Sequence, residues 1–389
     1  MHIPRWLPLL LGTLTAVGPL STDMYLPAFP AIEAAFGGRA GAAQITLATW
    51  FAGLAFGQLT QGTLADRFGR RLPLIIGSAL FTLASAGCAL APDLTTLAIM
   101  RALAAFGGSA SMVIPRAVVR DLTEGHAAAR LMSRLILVMG AAPILAPTLG
   151  GLVLAGAGWQ AIFWLVTGYG AICCALVWFA LPETLPPAQR LHLRAGQLLA
   201  RYAAILSERR FLTHALIQSS MGFGLFAYLG GSPGVFVTRF QLSPSRYGAL
   251  FGCCAASFII AAQIAPRLTV RYGAGAVLRA GILAYLAAAL ALTAFALPDR
   301  GPWWAMAIAA GATMGSMGFS MPNATVGALS RHAAQAGSAS ALLGTLQFCL
   351  GAISGLSVGL LADHTARPMA LLVLVGAIGA LAADAARRA

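Results

Sequence analysis

Twelve apolar runs, each about as long as a lipid bilayer is thick, divide this chain. They fall at roughly 6–27, 44–64, 72–91, 97–118, 132–154, 161–181, 212–236, 247–265, 276–297, 303–329, 337–361 and 369–386. A helix needs about 20 apolar residues to cross a membrane's hydrocarbon core. In lipid only helices and closed barrels satisfy every backbone group, and runs this long without strand alternation predict helices. Composition agrees: 59% of the 389 residues are hydrophobic and 9% are charged, against about 25% charged in ordinary soluble domains. Too few polar residues remain to clothe a water-facing surface. The expected fold is an all-α membrane protein with twelve transmembrane helices.

The net charge is +14, and every basic residue that carries it is an arginine. A basic excess points either to nucleic acid or to loops held on the cytoplasmic side of a membrane. The distribution favours the second. With the N-terminus inside, 18 arginines fall on the cytoplasmic side, and five (Arg39, Arg239, Arg246, Arg300 and Arg367) fall outside. Both termini are therefore expected in the cytoplasm, and no nucleic acid is expected as a partner. Cys88, Cys173, Cys174, Cys253, Cys254 and Cys349 all sit in apolar runs without metal-ligand spacing. They read as packing residues, and no metal is expected. The start, Met1 to Arg5, runs into the first span without a small-residue cleavage site, so no removable signal peptide is expected.

The longest polar connection, residues 182–210, carries Pro186, Pro187 and five arginines. It divides the chain into a half of six spans at 1–181, a cytoplasmic linker and a second half of six at 211–389. The halves echo one another: Arg67-Phe68-Gly69 follows the second span and Arg271-Tyr272-Gly273 follows the eighth, 204 residues on. Val270 stands where the first copy has Asp66. Transporters built from repeated halves place their site near the midplane between the repeats.

Three places carry the chemistry. The first is Gly62-Thr-Leu-Ala-Asp-Arg-Phe-Gly-Arg-Arg71, read as a tight basic loop in which Gly62 and Gly69 permit a sharp turn. The second is Asp23, near the outer end of span 1 and four residues after Pro19. A carboxylate at the centre of a membrane helix costs about 2.5–3.5 kcal/mol, which calls for a reason. It is either a proton-binding group facing a water-filled cavity, or a static ion pair or interfacial acid. The third is Arg101, within span 4 at a similar depth, roughly 6–10 Å below the outer face at 1.5 Å per residue. It either meets Asp23 or snorkels to the outer headgroups. Arg116, fifteen residues on, lies near the inner end. Span 5 carries Pro143, Pro147, Gly150 and Gly151, a pattern for a bent helix with one face open to close packing.

The loop pattern G-x-L-A-D-R-x-G-R-R resembles the signature loop of the major facilitator superfamily. Further stretches resemble its Bcr/CflA group of drug exporters: Ser21-Thr-Asp-Met-Tyr-Leu-Pro-Ala-Phe-Pro30, Arg101 to Ala110, Met112 to Asp121, Pro322 to Leu329 and Ala336 to Gln347. The resemblance covers both halves. It implies the major facilitator fold of two pseudo-symmetric six-helix halves, and proton-driven efflux of small, chemically mixed compounds such as bicyclomycin or chloramphenicol across the bacterial inner membrane. By match, Asp23 falls on a proton- and drug-linked aspartate, and Arg101 on an arginine that assists proton transfer. Gly62, Asp66, Arg67, Gly69, Arg70 and Arg71 fall on the loop that latches the halves when the transporter opens outward. There Asp66 would favour the positive N-terminus of span 11 near Gly337 and Ser338. Pro147, Gly150 and Gly151 match the end of the antiporter motif. Two positions depart from the pattern: Ala104 stands for a glutamine, and Ala146 for the glycine before Pro147.

The expected activity is thus secondary active antiport, with the proton motive force as driving energy, no cofactor and no catalytic residue. Tyr25, Tyr228, Asn323 and Gln347 are candidate cavity residues for amphipathic drugs or metabolites, or else interfacial and packing groups. Export of an endogenous metabolite, such as an amino acid or a siderophore, is the alternative reading. A membrane-embedded enzyme would need clustered acids, and the 11 acidic residues are dispersed. The chain is expected to work as a monomer in the bilayer.

Overall fold

The computed structural model describes residues 6–38, 40–123, 125–190, 195–298, 301–332 and 335–388, without the side chains of 125–130, 132–134, 136, 137, 139 and 195. Arg5, Arg39, Arg194 and Arg300, and the side chains of Arg130 and Arg134, lie outside this description. Helices and short turns account for the described residues, with no strand among them. In chain order the helices are α1 (Leu7–Asp23), α2 (Phe29–Ala35), α3 (Ala42–Phe68), α4 (Arg71–Ala89), α5 (Leu94–Leu122), α6 (Gly125–Ala180), α7 (Ala195–Ser207), α8 (Arg209–Pro233), α9 (Pro244–Tyr272), α10 (Ala274–Ala296), α11 (Trp303–Leu329), α12 (Ala336–Leu360) and α13 (Arg367–Arg388). Gly158, at φ +78°, breaks α6 into two legs, 125–157 and 159–180. With α1 extended by α2, and α7 set aside, these make the twelve expected spans. Eight segments are long and apolar enough to cross a membrane on length and composition alone, the stretch Gly140–Ala180 with both legs counting as one.

Local chemistry sets the ends. Asp93 caps α5, its carboxylate accepting from the Thr96 N–H at 2.8 Å. Ser243 caps α9, which opens on Pro244, a residue suited to a first helical turn. Pro233 ends α8, and the chain continues in one π-type turn over Gly234–Arg239. The sharp turn after span 2 is narrower than the sequence suggests. Gly62 is inside α3, and the turn is made at Gly69, whose φ of +93° favours glycine. Gly273 repeats it in the second half at φ +84°.

Within each half the helices pack in a bundle, and two helix pairs join the halves: α3 lies along α12, and the first leg of α6 lies along α9. Most large side chains on the outside are apolar, among them Leu83, Phe179 and Ile308, as a lipid-facing surface requires. The linker contains a helix that the sequence reading passed over. The Tyr202 hydroxyl of α7 donates to the Leu59 carbonyl of α3 at 3.3 Å. Three residues on, Ile205 is buried with Phe211, Ala339 and Leu343 of the second half. The linker therefore touches both halves at one face, called here the linker face; the opposite one is the far face.

Candidate functional site

α1 carries Pro19 in its interior and ends at Asp23, where the chain passes into a short 3-10 turn at Leu26–Ala28. Met24 and Tyr25 keep helical backbone angles, so Asp23 and Tyr25, two residues apart at 3.6 residues per turn, face different sides. Asp23 is 6% exposed and borders a cavity of about 190 Å³ between the halves. The other walls are apolar: Pro143 and Gly140 from α6, Leu225 and Leu229 from α8, Phe251 and Phe258 from α9, and Met314 from α11. Among the described residues its carboxylate has no hydrogen bond and no ion pair. Asp23 and Pro143, distant in sequence, are thus brought to one cavity.

Arg101 points the other way. Its Nη1 donates to the Ser21 carbonyl at 3.0 Å and to the Ser21 Oγ at 3.3 Å. The guanidinium lies 4.3 Å from the centre of the Trp50 ring and 4.5 Å from that of Tyr25, with Phe163 at 5.8 Å. Three spans besides its own supply this cage, in which cation–π attraction gains strength from the absence of water. Nε and Nη2 have no hydrogen-bond partner, so no contact joins Arg101 to Asp23. At 1% exposure it does not snorkel to headgroups. It ties α5 to α1 two residues before Asp23.

The cavity candidates separate. Tyr25 belongs to the arginine cage, and its hydroxyl bonds the Ala43 carbonyl at 3.0 Å and Thr46 Oγ1. Tyr228 stacks on Phe251 at 5.7 Å between centroids, one layer behind the Asp23 cavity. Gln347 accepts from Gln218 Nε2 at 2.9 Å, and Gln218 accepts from Thr325 at 2.6 Å, a polar chain across α12, α8 and α11. Asn323 lies apart from the Asp23 cavity. It bonds Thr269 at 3.1 Å and borders a different cavity at the linker face. Phe251, Trp50 and Phe163 were not singled out in the sequence, since an aromatic in an apolar run carries no signal of its own.

At the far face the halves meet backbone to backbone. A Cβ on Gly41 would collide with the Gly359 carbonyl, and one on Gly248 would stand 2.7 Å from the Pro147 carbonyl. Gly151 packs on the Pro244 carbonyl in the same way, while Gly150 packs on the Met24 carbonyl within the first half. The glycine pair of span 5 thus serves two neighbours at once. Toward the linker face α3 and α12 part around a cavity of about 240 Å³ bordered by Asp66, Arg116, Gly337 and Ser338. A Cβ on Gly337 would meet nothing within 4 Å.

The signature loop is therefore knotted within its own half. Arg70 is the hub: Nη1 donates to Asp66 at 2.5 Å and Nε to Asp121 at 2.8 Å. Glu183, three residues beyond the end of α6, accepts from the backbone N–H of Arg70 at 2.8 Å and of Arg71 at 3.3 Å. A side chain on Gly69 would strike that carboxylate. Burial works against the charge of Glu183, but N–H groups of Leu185, Arg70 and Arg71 outweigh it and hold its carboxyl below the ordinary range. Arg71 donates to the Trp178 carbonyl at 2.5 Å, while Arg67 lies over its neighbour Phe68. Asp121 and Glu183 were missed because ends of different spans carry them.

Twelve spans in two halves, joined along two helix pairs around a cavity with one carboxylate, define a transporter rather than an enzyme. The family model of the Major Facilitator Superfamily matches residues 11–356, and the chain belongs to that family. It is 36% identical over 380 residues to an "Uncharacterized MFS-type transporter YdgK" of Bacillus subtilis, covering 97% of this chain and 94% of that one. It is 30% identical to a "Bicyclomycin resistance protein homolog" of Haemophilus influenzae (93% and 90% covered) and 31% identical to a "Chloramphenicol resistance protein" of Pseudomonas aeruginosa (94% and 87%). Among solved structures, an inward-facing bacterial homologue of the lysosomal transporter Spinster shares the fold at TM-score 0.76, with 14% identity, 98% of this chain and 96% of that one covered.

Proposed function

We propose that this transporter exports small amphipathic compounds across the bacterial inner membrane in exchange for protons, with the linker face in the cytoplasm. Asp23 carries the reading: a nearly buried carboxylate without a partner, on the wall of an apolar cavity between the halves. A charge in such surroundings is costly unless a proton or a cation neutralises it. A proton and a substrate can therefore compete for it, or follow one another there.

The sealed far face and the parted linker face support a cycle that begins inward-open. Substrate enters from the linker face and displaces the proton from Asp23. The halves then rock: α12 moves onto Asp66, and the glycine seam at the far face opens. Substrate leaves outward, Asp23 takes a proton, and the seam closes again. Arg101 stays in its aromatic cage and holds Ser21, so that α1 turns Asp23 with the half as one body. The resistance names of the relatives support drugs as cargo.

The test is transport in everted vesicles with a pH-sensitive dye, adding chloramphenicol, bicyclomycin and a cationic dye in turn. Drug-evoked proton movement is expected in the wild type and not in Asp23→Asn, with the variant folded. Full efflux by the variant would sink the reading.

A further inference from the structure

The second half has another cavity at the linker face, of about 550 Å³, that the proposed path does not use. It lies where α8 and α10 begin and α11 and α13 end. Arg209, Arg210, Arg331, Arg387 and Arg388 line it. Two carboxylates answer these five arginines. Buried Asp384 pairs with Arg387 at 2.6 Å and with Arg388, and Glu208 pairs with Arg331 at 3.4 Å. Arg209 donates to the Ala386 carbonyl at 2.7 Å. The guanidinium of Arg210 makes no hydrogen bond or ion pair among the described residues. Three positive charges remain in excess.

The backbone adds to them. α8 starts at Arg209 and α10 at Ala274, both on the cavity wall. Neither helix has a side-chain cap bond: α10 opens after Gly273, and the carboxylate of Glu208, the residue before α8, is turned to Arg331 and His332. Two helix N-termini therefore present free N–H groups and positive dipole ends beside the arginines, the arrangement that binds phosphate. The wall also includes Val326, which is 66% exposed, and Val270 and Tyr272 lie bare at the end of α9, just before α10. A soluble anion would have no use for that apolar flank, whereas acyl chains would.

We propose that this cavity holds the phosphate headgroup of an anionic phospholipid from the leaflet at the linker face, with Arg210 as its first charged contact and Val326 along its chains. The site rests on these contacts alone and does not depend on what the protein exports.

Native mass spectrometry of the delipidated full chain, titrated with phosphatidylglycerol or with phosphatidylcholine of the same acyl chains, tests it. Phosphatidylglycerol is expected to bind selectively, and Arg210→Ala to weaken it about fivefold, as for one basic residue near a membrane surface. Arg246→Ala, at the far face, should leave it unchanged. Equal binding of the two lipids, or no loss in Arg210→Ala, would overturn the proposal. Displacement of the lipid by inorganic phosphate at equal occupancy would assign the site to a soluble anion and overturn the lipid assignment. If Arg210→Ala does not fold, hydrogen exchange of the wild type decides. Residues 209–214 and 274–278 should slow with phosphatidylglycerol and not with phosphatidylcholine, and an equal response to both would count against the site.

Discussion

The same two helices, α3 and α12, meet in opposite ways at their two ends. At the far face Gly41 lies on Gly359, and Ala48 on Gly355, with the Glu33 carboxylate holding the Gly41 N–H at 2.9 Å beside the seam and no ion pair crossing it among the described residues. At the linker face they part around Asp66 and Gly337, and the charges are gathered to one side, on Arg70. Steric seams and charged latches fail differently. A backbone-to-backbone contact tolerates no added atom and has no range: it is closed or lost. An ion-pair cluster reaches farther, and exchanging one partner for another costs it little. In the proposed cycle, which opens each face in turn, the far closure is thus rigid and the closure at the linker face negotiable.

The largest effect is expected where the seam is broken. Gly41→Ala adds a Cβ into the Gly359 carbonyl at a φ of +84°, and because a methyl has no other rotamer to take, the backbone must move. Overpacking of this kind costs about 1–3 kcal/mol, so a shift of about tenfold in the balance between far-closed and far-open states, about 1.4 kcal/mol, is the lower part of what is expected. A single cysteine placed at Ala48, with the natural cysteines removed, should react about tenfold faster with a membrane-impermeant thiol reagent in the variant. Equal rates would show that the seam is not what closes the far face.

Asp66→Asn should act on the other end. The latch would lose the charge that suits the α12 N-terminus, worth about 0.3–1 kcal/mol at an exposed helix end. Exposure of the linker-face cavity should rise, transport should fall two- to fivefold, and the Ala48 cysteine should stay as protected as in the wild type. A loss of that protection would mean that the two closures are one.

Glu183→Gln should weaken the loop by about 1 kcal/mol, since an amide oxygen is a weaker acceptor than a carboxylate for the N–H groups of Arg70 and Arg71. The folded carboxyl titrates below the ordinary glutamate range. Its contribution is therefore complete above that range and disappears as the pH falls through the lowered value. Thermal unfolding in detergent should show the gap between wild type and variant closing below about pH 4. A gap constant through acid would place the effect in packing rather than charge.

What the sequence shows of this comparison follows from range. The spans are legible because each is a local run of apolar residues; the Trp303–Leu329 helix ends on the residues expected. The turn at Gly69 and the placement of Asp23 in α1 and Arg101 in α5 are also local properties. The cage around Arg101 is not, because Trp50 and Phe163 come from spans 2 and 6 and look like any other core aromatics. Asp121 and Glu183 reach Arg70 only once spans 4 and 6 have returned to the same face. Helix α7 was hidden for another reason: prolines and arginines mark 182–210 as a linker, and the apolar stripe that seats Ile205 is two turns long. The polarity of Asn323 inside an apolar run shows that it needs a partner, not which side of the helix that partner is on.

The smallest effect tests whether any directed bond crosses between the halves toward the parted end. Thr345 of α12 donates to the Ala55 carbonyl of α3 at 3.2 Å, and also to Ala341 in its own helix at 2.8 Å. Its hydroxyl therefore has a second acceptor whenever the helices separate, and crossing the interface gains it little. Thr345→Val keeps the shape and removes both bonds. The expected change in the far-closed balance is at most about 0.6 kcal/mol, the average for side-chain bonds between membrane helices. Accessibility of the Ala48 cysteine should then differ from wild type by less than about threefold. A change as large as that of Gly41→Ala would mean that a hydrogen bond, and not the glycine seam, decides which face is closed.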